Sequence, residues 1–340
     1  MHLTKRLGGH VASAFVICAA LAIFAAVVPT ARANDTGYKY YLDGNAADVT
    51  PATTPGLLLA GGATDQDDAM RWLIGHAGGG DIVVLDAWGK DSYGPYIMGL
   101  GNVNSVETFV FNNRSGAYDP FLLEKLRHAE AIFFDGGNQW DYVHFWRGTP
   151  VADIIDQAAR KEPVGGISAG LAILGHYVYS AELGTIDSVA ALKNPYQSHV
   201  TLVNDFLSLP NLGNVITDTH FATRDRMGRL VTFLARIMND GWTPQACGIG
   251  VEQGATVAVD QNGRATIFGQ APAYFLRTAH APEVCQKNTP LTFTNVEVYR
   301  IQGGKASFNV RTWSGTGGTA YTVSAADGVL TSTQPGGSIY

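Results

Sequence analysis

Short, uninterrupted apolar runs alternate with segments of helical periodicity along the first half of this chain. Strands that are apolar on both faces occur in parallel sheets that helices cover on both sides. The pattern therefore predicts a doubly wound, mostly parallel α/β sheet. The expected strands are 56–60, 82–85, 106–111, 131–134 and 164–167, and the expected helices are 65–74, 119–128, 140–146, 151–160 and 169–174.

Beyond about residue 255 the pattern changes to short strands separated by Gly, Asn or Pro turns. We expect these strands at 256–259, 265–268, 273–276, 296–301 and 307–311. The chain is therefore divided into an N-terminal linker or first strand (34–55), an α/β catalytic domain (56–280) and a β-rich C-terminal extension (281–340).

The N-terminus has the pattern of a secretory signal peptide. Lys5 and Arg6 precede an apolar run at 11–28, and the small-x-small sequence Ala31-Arg32-Ala33 follows. We predict cleavage after Ala33 and a secreted or periplasmic protein, with an uncleaved membrane anchor as the alternative. Export would permit a disulfide between Cys247 and Cys285, although two buried thiols are equally compatible with the sequence.

Composition excludes several functional classes. The net charge of −6 argues against a nucleic-acid binder that acts through a basic face, and 46% hydrophobic residues argue against a disordered chain. The sequence contains no CxxC, HExxH, EF-hand or Walker A pattern, so we expect neither a metal nor an organic cofactor.

The segment Gly166-Ile167-Ser168-Ala169-Gly170 fits the G-x-S-x-G pattern between a predicted strand and a predicted helix. Glycines on both sides of Ser168 allow a sharp turn that exposes the serine at the carboxyl edge of the sheet. The helix start then directs the Ala169 N–H toward the position where an oxyanion would form. Ser168 is therefore the predicted nucleophile.

His220 is the predicted base for this serine. It follows the apolar residues 215–217 and precedes Arg224, Arg226 and Arg229. Guanidinium groups bind carboxylates through two parallel hydrogen bonds, so the three arginines suit an anionic substrate.

Four motifs in this order resemble the cyanophycinase family: FFDGGNQ at 133–139, GISAG at 166–170, the segment 218–229, and GIGVE at 248–252. The resemblance extends from about residue 56 to 276, and the β-rich tail resembles that of exported members. Cyanophycinases are serine hydrolases related to aspartyl dipeptidase, with a class I glutamine amidotransferase-like α/β fold. They release β-Asp-Arg from cyanophycin, a polyaspartate with arginine on each side-chain carboxyl.

The resemblance implies a role for each matching residue. Ser168 would be the nucleophile and His220 the base, with the oxyanion bound by the N–H groups of Ala169 and one glycine of the 136–137 pair, for which we take Gly137. The implied substrate contacts are Gln139 with the backbone, Asp218 with an arginine or amino group, and Arg224, Arg226 and Arg229 with carboxylates.

Two departures from the family pattern concern the site. The family typically has Glu at the end of G-I-G-x-D-E, where it orients the histidine, whereas this chain reads Val251-Glu252-Gln253. An ungapped match assigns the role to Gln253, and a shift of one residue assigns it to Glu252. We expect Glu252, because a neutral amide would not stabilise an imidazolium. Thr219 stands where close relatives carry glutamine.

The sequence therefore predicts an exported serine hydrolase that degrades cyanophycin to β-Asp-Arg through an acyl-enzyme. The alternatives are an aspartyl-type dipeptidase with the same Ser-His pair and a non-catalytic exported binding protein on the same fold. The expected partner is a polymeric or dipeptide Asp/Arg substrate, with no nucleic acid and no membrane after signal cleavage. The resemblance also makes a homodimer possible.

Overall fold

Five parallel strands form the centre of a ten-stranded sheet in the computed structural model, which describes residues 36–87, 89, 91–304 and 306–340. The predicted signal peptide lies outside the described residues. The parallel strands, in spatial order, are β4 (Ser105–Phe111), β3 (Asp81–Asp86), β5 (Ala131–Phe134), β6 (Pro163–Ile167) and β2 (Gly56–Ala60).

Antiparallel strands extend this sheet on both sides. Beside β4 lies β1 (Tyr38–Gly44), and beyond β2 follow β11 (Ala255–Asp260), β12 (Arg264–Gly269), β15 (Ser307–Asn309) and β16 (Ser314–Thr316). The β-rich part of the chain thus continues the central sheet.

Helices cover both faces of the parallel strands because successive side chains alternate between the faces. Leu57 and Leu59 pack on one face with three helices, and Leu58 packs on the other with two. The first group is α3 (Pro120–His128), α4 (Gln139–Trp146) and α5 (Pro150–Ala158), and the second is α1 (Asp67–His76) and α2 (Tyr93–Leu100). This arrangement confirms the predicted doubly wound α/β fold.

A second sheet contains six strands. Its order is β18 (Val329–Ser332), β17 (Thr319–Ala326), β14 (Phe293–Gln302), β13 (Pro272–Arg277), β10 (Cys247–Val251) and β9 (Val215–Asp218). Only β9 and β10 run parallel to each other within it. Its apolar core includes residues of α7 (Ser188–Lys193) and α8 (Met227–Asn239).

The remaining elements are short. They are α6 (Ala169–Ala172), the two-stranded pair β7 (Val178–Tyr179) and β8 (Leu202–Val203), and 3-10 helices at Arg114–Tyr118 and Pro335–Gly337. The sequence pattern did not predict α2 or α8. It predicted β13 and β14, at 273–276 and 296–301, but not that they belong to a second sheet. The loops that build the candidate active site follow β2, β5 and β6 of the first sheet and β9 and β10 of the second.

Candidate active site

Ser168 lies on a sharp turn between β6 and α6. Its backbone angles, φ +53° and ψ −113°, belong to a region that favours glycine. The turn is tight because a Cβ on Gly170 would lie 2.3 Å from the Phe134 carbonyl oxygen, and one on Gly166 would lie 2.5 Å from the backbone of Gly170. The predicted G-x-S-x-G elbow is thus present, with each glycine required by close backbone contact.

His220 follows β9 and faces this serine. Its Nε2 lies 2.7 Å from Ser168 Oγ, and its backbone N–H donates to the Gly61 carbonyl oxygen at 2.9 Å. Gly62 lies against the imidazole ring, and a Cβ there would lie 2.4 Å from the ring carbon Cε1. The Gly-Gly pair after β2 is therefore part of the site, which no local sequence pattern indicates.

Gln253, and not Glu252, contacts the other imidazole nitrogen. The Gln253 amide lies 2.8 Å from His220 Nδ1. The Glu252 carboxylate instead accepts hydrogen bonds from the backbone N–H groups of Ala222 and Thr223 and from the Thr223 hydroxyl. The expectation that Glu252 orients the histidine is corrected, because consecutive residues after β10 direct their side chains to different neighbours.

The proton positions determine how the Gln253 amide is oriented. If His220 Nε2 accepts the Ser168 proton, Nδ1 carries the imidazole proton and is a donor. An amide nitrogen cannot accept that proton, whereas the carbonyl oxygen reaches the same position after a half-turn of the amide. We therefore assign Oε1 of Gln253 as the acceptor, which fixes the imidazole tautomer without supplying a negative charge.

His220 is held in its neutral form by its surroundings. Burial of the ring lowers its pKa to about 4, and the nearby positive charges of Arg224 and Arg226 contribute to the lowering. The carboxylates of Glu252 and Asp218 raise the pKa of His220, but their effects are smaller than those of burial and the two arginines. At neutral pH the imidazole is therefore unprotonated and can accept a proton from Ser168.

Two backbone N–H groups beside Ser168 are available to an oxyanion. Those of Ala169 and Gly137 make no hydrogen bond with any residue that the structure describes, whereas the Gly136 N–H donates to the Asp135 carboxylate at 2.5 Å. The Tyr142 hydroxyl lies within 2.9 Å of the Asp135 and Gly136 carbonyl oxygens and fixes this loop. The role of Gly137 and Ala169 as oxyanion donors stays a prediction.

Asp218 and Arg229 form a buried ion pair. Both are 2% exposed, and the Arg229 guanidinium forms two hydrogen bonds with the carboxylate, at 2.8 Å from Nε to Oδ2 and 2.5 Å from Nη2 to Oδ1. The predicted contact of Asp218 with a substrate cation is corrected, because its carboxylate is buried against Arg229. The predicted contact of Arg229 with a substrate carboxylate stays a prediction, since Arg229 also lines a cavity together with Arg224 and Arg226. The pair ties the start of α8 to the end of β9, next to His220.

A cavity of about 360 Å³ adjoins the segment that follows His220, and its lining includes Gln139, Asp187, Arg224, Arg226 and Arg229. Arg224 is exposed. Arg226 donates to the Thr219 carbonyl oxygen at 2.8 Å, and although burial lowers its pKa to about 10, it stays charged at neutral pH. Gln139 donates to the Tyr179 carbonyl oxygen at 2.8 Å. The cavity thus has three arginines in its lining, of which Arg229 is paired with Asp218, and one carboxylate, Asp187.

Other predicted features can be placed as well. Within the described ranges, no group of three or more His, Cys, Asp or Glu residues could hold a metal ion. Cys247 and Cys285 are separate buried thiols, and burial raises the pKa of each to about 12. None of the helices in the described part of the chain is long and apolar enough to span a membrane.

The chain is similar to one family model and to several curated relatives. The model of Peptidase family S51 matches residues 103–239, a range that contains Ser168 and His220 but ends before Gln253. The chain is 26% identical to the cyanophycinases of Trichormus variabilis and of a Nostoc species over 270 residues, which covers 74% of this chain and 85% of each relative. It is 26% identical to the Synechococcus elongatus cyanophycinase over 280 residues, covering 76% and 80%.

Two solved structures are similar at lower identity. A peptidase from an acI-B1 actinobacterium has 15% identity and a TM-score of 0.48, covering 75% of this chain and 97% of that one. A putative peptidase E of Listeria monocytogenes has 14% identity and a TM-score of 0.41, covering 64% and 100%.

The family match and the curated relatives define the protein as a serine-type peptidase. It is related to the cyanophycinases and to peptidase family S51, so the resemblance drawn from the four motifs is confirmed.

The depressed histidine pKa predicts an enzyme that keeps its activity in mild acid. A protonated His220 cannot accept the Ser168 proton, so kcat/KM should fall as pH drops through about 4 and stay level above that value. Initial rates in buffers of constant ionic strength would measure the profile. A half-maximal rate at the ordinary histidine pKa of about 6.5 would contradict the assignment.

Substitutions at the two adjacent candidates should separate their roles. Gln253→Ala should lower kcat by about 10²–10³, because the imidazole loses the group that orients it, whereas Glu252→Gln should change kcat by less than about tenfold. Gln253→Glu should raise the His220 pKa and move the acidic limb of the rate profile to higher pH, because a carboxylate stabilises the imidazolium. The reverse ranking of the two kcat losses would restore Glu252 as the orienting residue.

The strained backbone of Ser168 predicts a stability difference between two inactive variants. The free energy of unfolding of Ser168→Gly should exceed that of Ser168→Ala by about 1 kcal/mol, because glycine adopts φ +53° without steric conflict. Denaturant titration of the two variants would measure the difference. Ser198 is an exposed control residue whose φ is not positive. At this position the protein with Ser198→Gly should be less stable than the protein with Ser198→Ala. Equal stabilities at position 168 would rule out strain at the nucleophile.

Proposed function

We propose that the protein hydrolyses cyanophycin to β-Asp-Arg. The observation that carries this proposal is the cavity next to the segment that follows His220, where Arg224, Arg226 and Arg229 supply positive charge and Gln139 supplies an amide. Every cyanophycin unit presents the α-carboxylate of its arginine, which a guanidinium binds through paired hydrogen bonds. Relatives named cyanophycinase support the same substrate class.

The proposed reaction has two stages. In the first, Ser168 Oγ attacks the scissile carbonyl carbon, His220 takes the serine proton, and the oxyanion is bound by the N–H groups of Ala169 and Gly137. Collapse of this intermediate breaks the C–N bond, and His220 returns the proton to the leaving amine. In the second, His220 takes a proton from a water molecule that attacks the acyl carbon. The ester bond to Ser168 Oγ then breaks, and His220 returns the proton to that oxygen.

We also propose that the protein is exported. The signal-peptide pattern at 1–33 supports this, because an enzyme outside the cell would meet an insoluble polymer directly. N-terminal sequencing of the protein from the medium or periplasm should start at Asn34. Recovery of the uncleaved chain from the cytoplasm alone would contradict export.

Substrate assays test the proposed reaction. The wild type should release β-Asp-Arg from cyanophycin, and Ser168→Ala should abolish the release. Arg224→Gln should raise KM by about tenfold, because one guanidinium–carboxylate contact is lost. The matched control Arg71→Gln removes an arginine that is half-exposed on α1 and paired with Asp68, and it should leave KM unchanged.

Three other outcomes would contradict the cyanophycin proposal. Cleavage of α-Asp dipeptides with the polymer left intact would favour an aspartyl-type dipeptidase. Labelling of Ser168 by a fluorophosphonate without cleavage of either substrate would indicate a different substrate. Failure of the label as well would favour a binding protein.

A further inference from the structure

Tyr340 contacts the segment 221–227, which carries Arg224 and Arg226 of the cavity lining. It reaches this segment from the end of the chain that follows β18. Its hydroxyl donates to the Asp225 carboxylate at 2.9 Å and accepts from the Met227 N–H at 2.9 Å. Its ring packs edge-on against Phe221 and Tyr274, with centroids 6.0 and 5.8 Å away. One side chain therefore touches both ends of the segment 221–227.

The segment 221–227 needs such support because its backbone is irregular. Asp225 has φ +47°, an unfavourable conformation for a residue with a side chain. Glu252 holds the first half of the segment through Ala222 and Thr223, and the Ser188 hydroxyl donates to the Asp225 carbonyl oxygen. Tyr340 binds the Asp225 side chain, which neither of these groups reaches.

The strands that precede Tyr340 anchor it in this position. Strands β17 and β18 pair with each other, and the Tyr321 hydroxyl on β17 donates to the Ile339 carbonyl oxygen at 3.0 Å. The Gln334 amide donates to the Ser338 carbonyl oxygen at 3.0 Å. Burial and the neighbouring Asp225 carboxylate raise the pKa of Tyr340 above its usual value, so its hydroxyl keeps the proton that it donates.

We propose that Tyr340 is a positioning residue for substrate binding, and that the β-rich extension serves the site by placing its hydroxyl on the turn between Arg224 and Arg226. The proposal rests on the proposed function for the identity of the substrate. The imidazole of His220 lies against Ser168, Gly62 and Gln253, and Tyr340 is not among its neighbours. The segment 221–227 reaches His220 through the backbone, where the Arg224 N–H donates to the His220 carbonyl oxygen at 3.0 Å. Loss of the hydroxyl should therefore affect binding more than chemistry.

Tyr340→Phe removes the hydroxyl and keeps the ring. We expect KM for the Asp/Arg substrate to rise by about tenfold, with kcat within about twofold of wild type. The matched control is Tyr196→Phe, which removes a hydroxyl bonded to the Asp240 carboxylate at 2.6 Å beyond the other end of α8. The control should leave KM unchanged even if it lowers the melting temperature as much.

A second pair of variants tests the same contact from the other side. Asp225→Asn keeps an oxygen that can accept the Tyr340 proton and should retain most of the wild-type KM, whereas Asp225→Ala should reproduce the effect of Tyr340→Phe. A merely structural role for Tyr340 would lower stability in both Asp225 variants without this difference in KM.

Hydrogen exchange separates this proposal from the proposed function. The amides of 221–228 should exchange faster in Tyr340→Phe than in wild type, and not in Tyr196→Phe, whatever the substrate. Unchanged exchange and unchanged KM would overturn the positioning role. A wild type that cleaves neither substrate would instead overturn the proposed function, and the exchange comparison would still decide whether Tyr340 holds the segment.

Discussion

The hydrogen bond between Ser168 Oγ and His220 Nε2 is the interaction on which the rest of the site depends. It joins residues that follow strands of two different sheets, so the loops after these strands must approach closely. Glycines make the approach possible, because side chains at Gly62 and Gly170 would collide with the histidine ring and with the Phe134 backbone. The nucleophile and the base are therefore placed by backbone packing.

Some charged groups around Ser168 and His220 set the protonation state of the histidine, and others hold the surrounding backbone and arginines in place. Burial and two arginines keep His220 neutral, and Gln253 orients it without adding a negative charge. Asp218 is paired with Arg229, and Glu252 accepts hydrogen bonds from the segment after His220. The acidic groups near the histidine thus hold backbone and arginines in place, and in the lining of the cavity three arginines accompany one carboxylate, Asp187.

Local patterns were sufficient to predict the parallel strands, the elbow at Ser168 and the candidate base His220, because each depends on residues adjacent in sequence. The third residue could not be predicted, since Glu252 and Gln253 are neighbours and only the direction in which each side chain leaves β10 separates them. The pairing of Asp218 with Arg229 and the contact from Tyr340 join distant segments. Neither leaves a local signal in the sequence.

The central claim is that an uncharged histidine, oriented by an uncharged amide, serves as the base for Ser168. The most direct test is the imidazole ¹⁵N NMR spectrum of His220 recorded as the pH is lowered. The account predicts a neutral ring with its proton on Nδ1 at neutral pH and half-titration near pH 4. Half-titration at about pH 6.5 or above, or a neutral ring with the proton on Nε2, would contradict it.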